Sequence, residues 1–159
     1  MSSIKTTGWI LFFNLFFMTT AYAASSIKIE NAWSPEAPPV VQVMAGYMKI
    51  HNLSNKDIKI KSATSNSFKR VEIHLSEMKN GIMRMIKQKN LNIKANAHIE
   101  LKPGGLHMML ITKLKPVKKG STIPITLTFD NNETVNIDLK VKGDNQLQMK
   151  CGSGKCGSM

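Results

Sequence analysis

Asn80-Gly81 constrains this chain more than any other dipeptide in it. Both central positions of a type I′ hairpin turn need positive φ, and Asn-Gly supplies that at the lowest cost. Stretches that alternate apolar and polar residues flank it, so the spacing predicts a two-residue hairpin. The turn also sets the register: Met78 opposes Met83, Ser76 opposes Met85, and His74 opposes Lys87. A side-chain period of two then sends Val71, Ile73, Leu75, Ile82 and Ile86 to one face, the face expected to pack on a core. His74 and Met85 share the other face as diagonal neighbours, roughly 7–8 Å apart.

A second segment follows the same logic. Pro103-Gly104-Gly105 signals a turn, and the strand after it sets Leu106, Met108 and Leu110 on one face and His107 and Met109 on the other. Singly, a methionine fills cores and a histidine is a satisfied surface or core group. Jointly, His74, Met85, His107 and Met109 form a neutral set of two imidazoles and two thioethers. Such borderline and soft donors favour Cu(I) over hard cations, and the set lacks the thiolates or carboxylates usual in zinc sites. Met78 and Met83, beside the hairpin turn, are expected to shield the ion without holding it.

The rest of the chain reads as short alternating strands near 27–33, 43–50, 57–62, 97–101, 123–129 and 134–141, with no amphipathic segment of helical length. That pattern predicts an all-β sandwich over residues 24–142. Three prolines make 34–39 an extended loop, and Met44 and Met48 read as core filling. His51 is expected to begin a polar turn, and His98 to point outward from Ile99 and Leu101.

The ends differ from this middle. Lys5, an apolar run from Trp9 to Met18 and Ala21-Tyr22-Ala23 have the layout of a cleaved secretory signal, which makes 1–23 a signal peptide and the protein periplasmic, with no stable membrane insertion afterwards. Residues 143–159 form a flexible Gly- and Ser-rich tail with two Lys-Cys-Gly units. Cys151 and Cys156 either close a disulfide in an oxidising compartment or, as paired thiolates, make a second Cu(I) site. A net charge of +12 would raise nucleic-acid binding, but export and the scattering of the lysines argue against it.

The spacing of the four donors, H-x10-M-x21-H-x-M, resembles the signature of the periplasmic PCu(A)C copper chaperones. Gly81-Ile82-Met83-Arg84-Met85 and Leu101 to Met109 resemble that family's two ligand-bearing segments, and Ala45-Gly46-Tyr47-Met48, Leu127-Thr128-Phe129 and Trp33 agree with it. The resemblance covers about Ile27 to Val141. It implies a cupredoxin-like Greek-key β-sandwich that holds Cu(I) through these four side chains and carries it to acceptors such as the copper centre of cytochrome c oxidase or its assembly factors. The cysteine-bearing tail departs from the His/Met-rich tail of many relatives. Blue-copper electron transfer needs a cysteine ligand, and the sandwich region has none, so a binding protein is expected rather than an enzyme. Copper buffering, and more remotely a thiol oxidoreductase acting through the tail, are the alternatives.

Overall fold

The computed structural model describes residues 25–143. The expected signal segment and the tail with Cys151 and Cys156 lie outside the described residues. Within them the chain forms ten strands: β1 (Ile27–Pro35), β2 (Val43–Asn52), β3 (Ile58–Thr64), β4 (Phe68–Lys79), β5 (Ile82–Lys87), β6 (Leu91–Ile93), β7 (His98–Leu101), β8 (Leu106–Lys113), β9 (Thr122–Phe129) and β10 (Thr134–Lys142).

Two sheets share β2. Its first half, Val43 to Gly46, pairs with β8, which continues to β4 and β5. Its second half, Met48 to His51, pairs with β7 on one side, while β1 on the other side leads through β10, β9 and β3 to β6. The β1–β10 pair is parallel and the rest are antiparallel. Gly46 sits where β2 leaves the first sheet. A Cβ there would lie 3.0 Å from Leu139 Cδ1 and 3.3 Å from Met108 Cβ, so a side chain would push on the opposing sheet.

The core lies between the sheets and follows the strand alternation. Ile123, Ile125, Leu127 and Phe129 of β9, Leu139 and Val141 of β10, Met108 and Leu110 of β8, and Phe68 of β4 are all buried. Met44 and Met48 are buried among them, as the core-filling reading expected. Buried Asn52 closes one end: its Nδ2 donates to the carbonyls of Lys56, Ile93 and Lys94, and its Oδ1 accepts from the Ser54 amide and hydroxyl. One side chain thus satisfies two turns that no strand ladder reaches.

The hairpin has the register its turn demands, with Asn80 at φ 52° and Gly81 at φ 74°. Its expected apolar face needs correction. Ile73 is buried, but Ile82 and Ile86 are 60% and 42% exposed. β5 is the edge strand, pairs only with β4, and is exposed along its whole length. Alternation chooses a face, but it does not extend the opposing sheet to cover that face. His51 is also not in a turn: β2 continues through Asn52, carried by pairing with β1 and β7. β1 likewise runs through Ser34 and Pro35, the start of the expected loop, because these pair with Val141 and Lys142.

Candidate metal centre

Three adjacent strands bring the four sequence-selected side chains to one face of the first sheet. His74 opposes His107 across β4 and β8, Glu72 opposes Met109, and Ser76 opposes both Met85 of β5 and, through its amide, the carbonyl of Gly105 at 3.1 Å. Ala45 of β2 faces Met109 from the far side, and its single methyl leaves space above that thioether. Met85, His107 and Met109 line an open cleft of about 340 Å³, walled by Ala45, Tyr47 and Ser76. His74 flanks this cleft, with its ring centroid 6.1 Å from that of His107 and the planes tilted by 41°.

Hydrogen bonds assign both imidazole tautomers. His107 Nδ1 lies 3.0 Å from the Gly105 carbonyl, which can only accept, so Nδ1 carries the proton and Nε2 keeps a lone pair. His74 Nε2 lies 3.0 Å from Glu72 Oε2. The Glu72 carboxyl is held down to about 2, first by the hydrogen bond from Lys87 and then by His74, so it is an ionised acceptor. The proton of His74 is therefore on Nε2, and Nδ1 has the lone pair. That Nδ1 is buried and has no hydrogen-bond partner. A buried nitrogen lone pair without a donor is costly, and an electrophile placed there removes the cost.

Glu72 is the residue that sequence reasoning passed over. Its only sequence signal is its position two before His74, which puts it on the same strand face. In the structure it links His74 to Lys87, whose Nζ donates to Oε1 at 2.7 Å. A carboxylate on the far nitrogen of a metal-binding imidazole fixes the ring and raises its basicity. Tyr47 also went unassigned. It packs against Trp33 with centroids 4.8 Å apart and the ring planes tilted by 47°, and burial pushes its phenol pKa up.

Burial grades the donors. His107 is buried at 8% exposure, Met109 is half-buried, and Met85 is 61% exposed on the edge strand. Met78 and Met83 face each other nearer the turn and are 61% and 54% exposed, so their thioethers lie beside the cleft and do not line it. Among the described residues, no three His, Cys, Asp or Glu side chains are gathered as a ready ligand set. What this face offers a metal is two imidazoles and two thioethers, a set that favours a soft ion.

The ten-stranded architecture is that of PCuAC domains, a cupredoxin-like β fold. The copper-bound PCuAC domain from PmoF2 superposes with a TM-score of 0.64 at 23% identity, covering 77% of this chain and 97% of that one. The solution structure of Cu(I)-bound DR1885 from Deinococcus radiodurans gives 0.58 at 27% identity, covering 77% and 81%. Residues 27–141 match the LpqE-like lipoprotein family, and the chain belongs to it. Among its relatives, a protein of Leifsonia xyli subsp. xyli named as a lipoprotein is 28% identical over 125 residues, 78% of this chain and 74% of that protein. An uncharacterised protein of Rickettsia prowazekii is 29% identical over 118 residues, 70% of this chain and 65% of that protein.

Proposed function

We propose that this protein is a periplasmic carrier of Cu(I) that holds the ion through His74 Nδ1, His107 Nε2 and the thioethers of Met85 and Met109, and releases it to acceptor proteins. The observation that carries this reading is the partnerless buried Nδ1 of His74, opposite His107 on the sheet face that bears both thioethers. The likeness to PCuAC domains solved with copper bound supports it. The role is one of binding, with copper as cargo. Residues 1–23 would direct export, 24–142 would carry the ion, and 143–159 would form a separate module in which Cys151 and Cys156 take a second Cu(I).

Transfer follows from the gradient of exposure. Both imidazoles are pinned by hydrogen bonds to Glu72 and Gly105, whereas Met85 stands on the exposed edge. An acceptor thiolate displaces Met85 first and takes the ion by ligand exchange. Three of the exposed large apolar side chains, Met78, Met83 and Met85, share the donor face of this hairpin, and Ile82 and Ile86 are exposed on its other face. Single exposed apolar residues are ordinary, but a cluster of this kind around a donor marks a docking face. Lys87 stands on that face and Lys79 and Arg84 on the other side of the same hairpin, so an acceptor with an apolar centre and an acidic rim fits this edge. The copper centre of cytochrome c oxidase, or a factor that assembles it, is the proposed acceptor.

The test is competition with a Cu(I)-chelating chromophore under reducing conditions, for the whole protein and for a form lacking residues 143–159. Expected are two Cu(I) in the first and one in the second, with tight binding lost when Met85→Ala and Met109→Ala are combined in the form lacking residues 143–159. Unchanged Cu(I) affinity in that double variant would overturn the assignment. Equal stoichiometry in the two forms would remove the tail site and leave the first intact.

A further inference from the structure

The second sheet repeats the polar framework of the first site without its sulfur. β2 and β7 set His51 directly opposite His98, with ring centroids 5.2 Å apart and planes tilted by 39°. His51 Nε2 lies 3.0 Å from Glu30 Oε2, and Lys28 Nζ lies 2.8 Å from Glu30 Oε1. In the first site the same parts recur: a cross-strand pair, His74 and His107, a carboxylate on Nε2 of one ring at 3.0 Å, and a lysine on that carboxylate at 2.7 Å.

The tautomer argument carries over. The Glu30 carboxylate accepts, so His51 Nε2 holds the proton and Nδ1 keeps its lone pair. The His51 side chain is 23% exposed and His98 is exposed, so a hydrated ion can reach both rings. The neighbours that share this face by strand register are Lys28, Lys49 and Glu100, and none is a thioether. Two imidazole nitrogens with water suit a borderline divalent ion, and the Irving–Williams order puts Cu(II) above Zn(II).

We propose that His51 and His98 form a second metal site that takes a divalent cation, Cu(II) ahead of Zn(II), through one nitrogen of each ring, with Glu30 orienting His51 through its other nitrogen. Among the described residues no third His, Cys, Asp or Glu side chain is gathered as a ligand there, so water completes the shell and the ion exchanges readily. The protein then presents two cross-strand histidine pairs that differ in hardness: one with thioethers, suited to Cu(I), and one with water, suited to the oxidised ion. This site stands on its own residues and does not depend on what the first one carries.

The test uses a Cys151→Ser, Cys156→Ser background, so that no thiol reduces the ion, with Ag(I) added first to fill the thioether site. Substoichiometric Cu(II) is then titrated while amide line widths are followed by NMR. A paramagnetic ion at the proposed site broadens His51, His98 and Glu30 before any other residues, and Zn(II) restores those signals by competition. His51→Ala and His98→Ala each abolish the local broadening and weaken Cu(II) by about tenfold or more, and Glu30→Gln weakens it less. Because His98 is exposed, its replacement leaves the spectrum of a folded protein, which the same experiment verifies. Broadening that begins elsewhere while these residues stay sharp would overturn the proposal, as would unchanged Cu(II) affinity in His98→Ala.

Discussion

Replacing Glu72 separates a folding role from a metal-positioning role. Its carboxylate receives His74 Nε2 at 3.0 Å and Lys87 Nζ at 2.7 Å, and its side chain is only 15% exposed. Glu72→Ala leaves His74 free to change tautomer and to rotate, so the Nδ1 lone pair is no longer held in place. Loss of such an outer partner typically lowers metal affinity by about 10- to 100-fold, or about 1.4–2.7 kcal/mol. Glu72→Gln retains an acceptor without the charge and should fall between the variant and the parent. Lys87 is 48% exposed, and half-exposed ion pairs contribute at most about 1 kcal/mol, so Lys87→Met should weaken Cu(I) by no more than about fivefold. Cu(I) competition titrations measure all three, and thermal melts of the metal-free proteins report folding separately. Wild-type Cu(I) affinity in Glu72→Ala, alongside a large loss in His74→Ala, would refute the positioning argument.

Met83→Ala should leave Cu(I) affinity nearly intact and speed its oxidation or exchange, whereas Met85→Ala should cost more than the tenfold or so expected of an outer-shell change; equal losses in the same titration would show the ligand to be misassigned. Asn52→Ala takes a donor from the carbonyls of Ile93, Lys94 and Lys56, of which Lys94 keeps the Ala97 amide and Lys56 the Ser54 hydroxyl, and should lower unfolding stability by about 1–3 kcal/mol in urea titration, with metal binding by the folded protein unchanged. The pKa of Asp57 is held down to about 2, chiefly by Lys94 and then by the Ala95 amide and Asn92. A lowered folded-state pKa stabilises above the unfolded value and loses that contribution as pH falls, so the acid side of the stability curve should be shallower in Asp57→Asn between about pH 4 and pH 2. Parallel melts of both proteins across that range check it.

The parts of this fold that local chemistry governs could be read from the sequence. Asn80-Gly81 forces its turn whatever surrounds it, so the hairpin register was legible, and with it the shared face of His74 and Met85. Period two placed His107 and Met109 equally well. What escaped depends on contacts distant in sequence. Ile82 and Ile86 alternate like core residues, but the facing sheet does not reach β5. His51 and Asn52 read as a turn, yet β1 and β7 hold them in a strand, and Asn52 binds carbonyls more than forty positions away. β6 is three residues long, too short to show an alternation. Glu72 was hidden for a different reason: a spacing motif records the donors and begins at the first of them, whereas the residue that selects the tautomer of His74 stands two positions upstream.

The edge position of Met85 sets a conflict that the surrounding charges resolve. A strand with exposed apolar residues on both faces is a template for pairing with other chains, which a protein kept in solution must prevent. β5 carries Arg84 between its methionines and ends in Lys87, and Lys79 stands opposite Ile82 on β4. Burying β5 against a second copy would bring these cations together, with Glu77 opposite Arg84 and Glu72 bonded to Lys87 offsetting them in part. Self-pairing is therefore disfavoured, and on the proposed reading a partner with an acidic rim is attracted to the same edge. On the proposed reading, the cations that keep the hairpin soluble also choose its acceptor. The thioether then has no need of burial, because a donor that must be displaced for transfer is best placed where the acceptor arrives first.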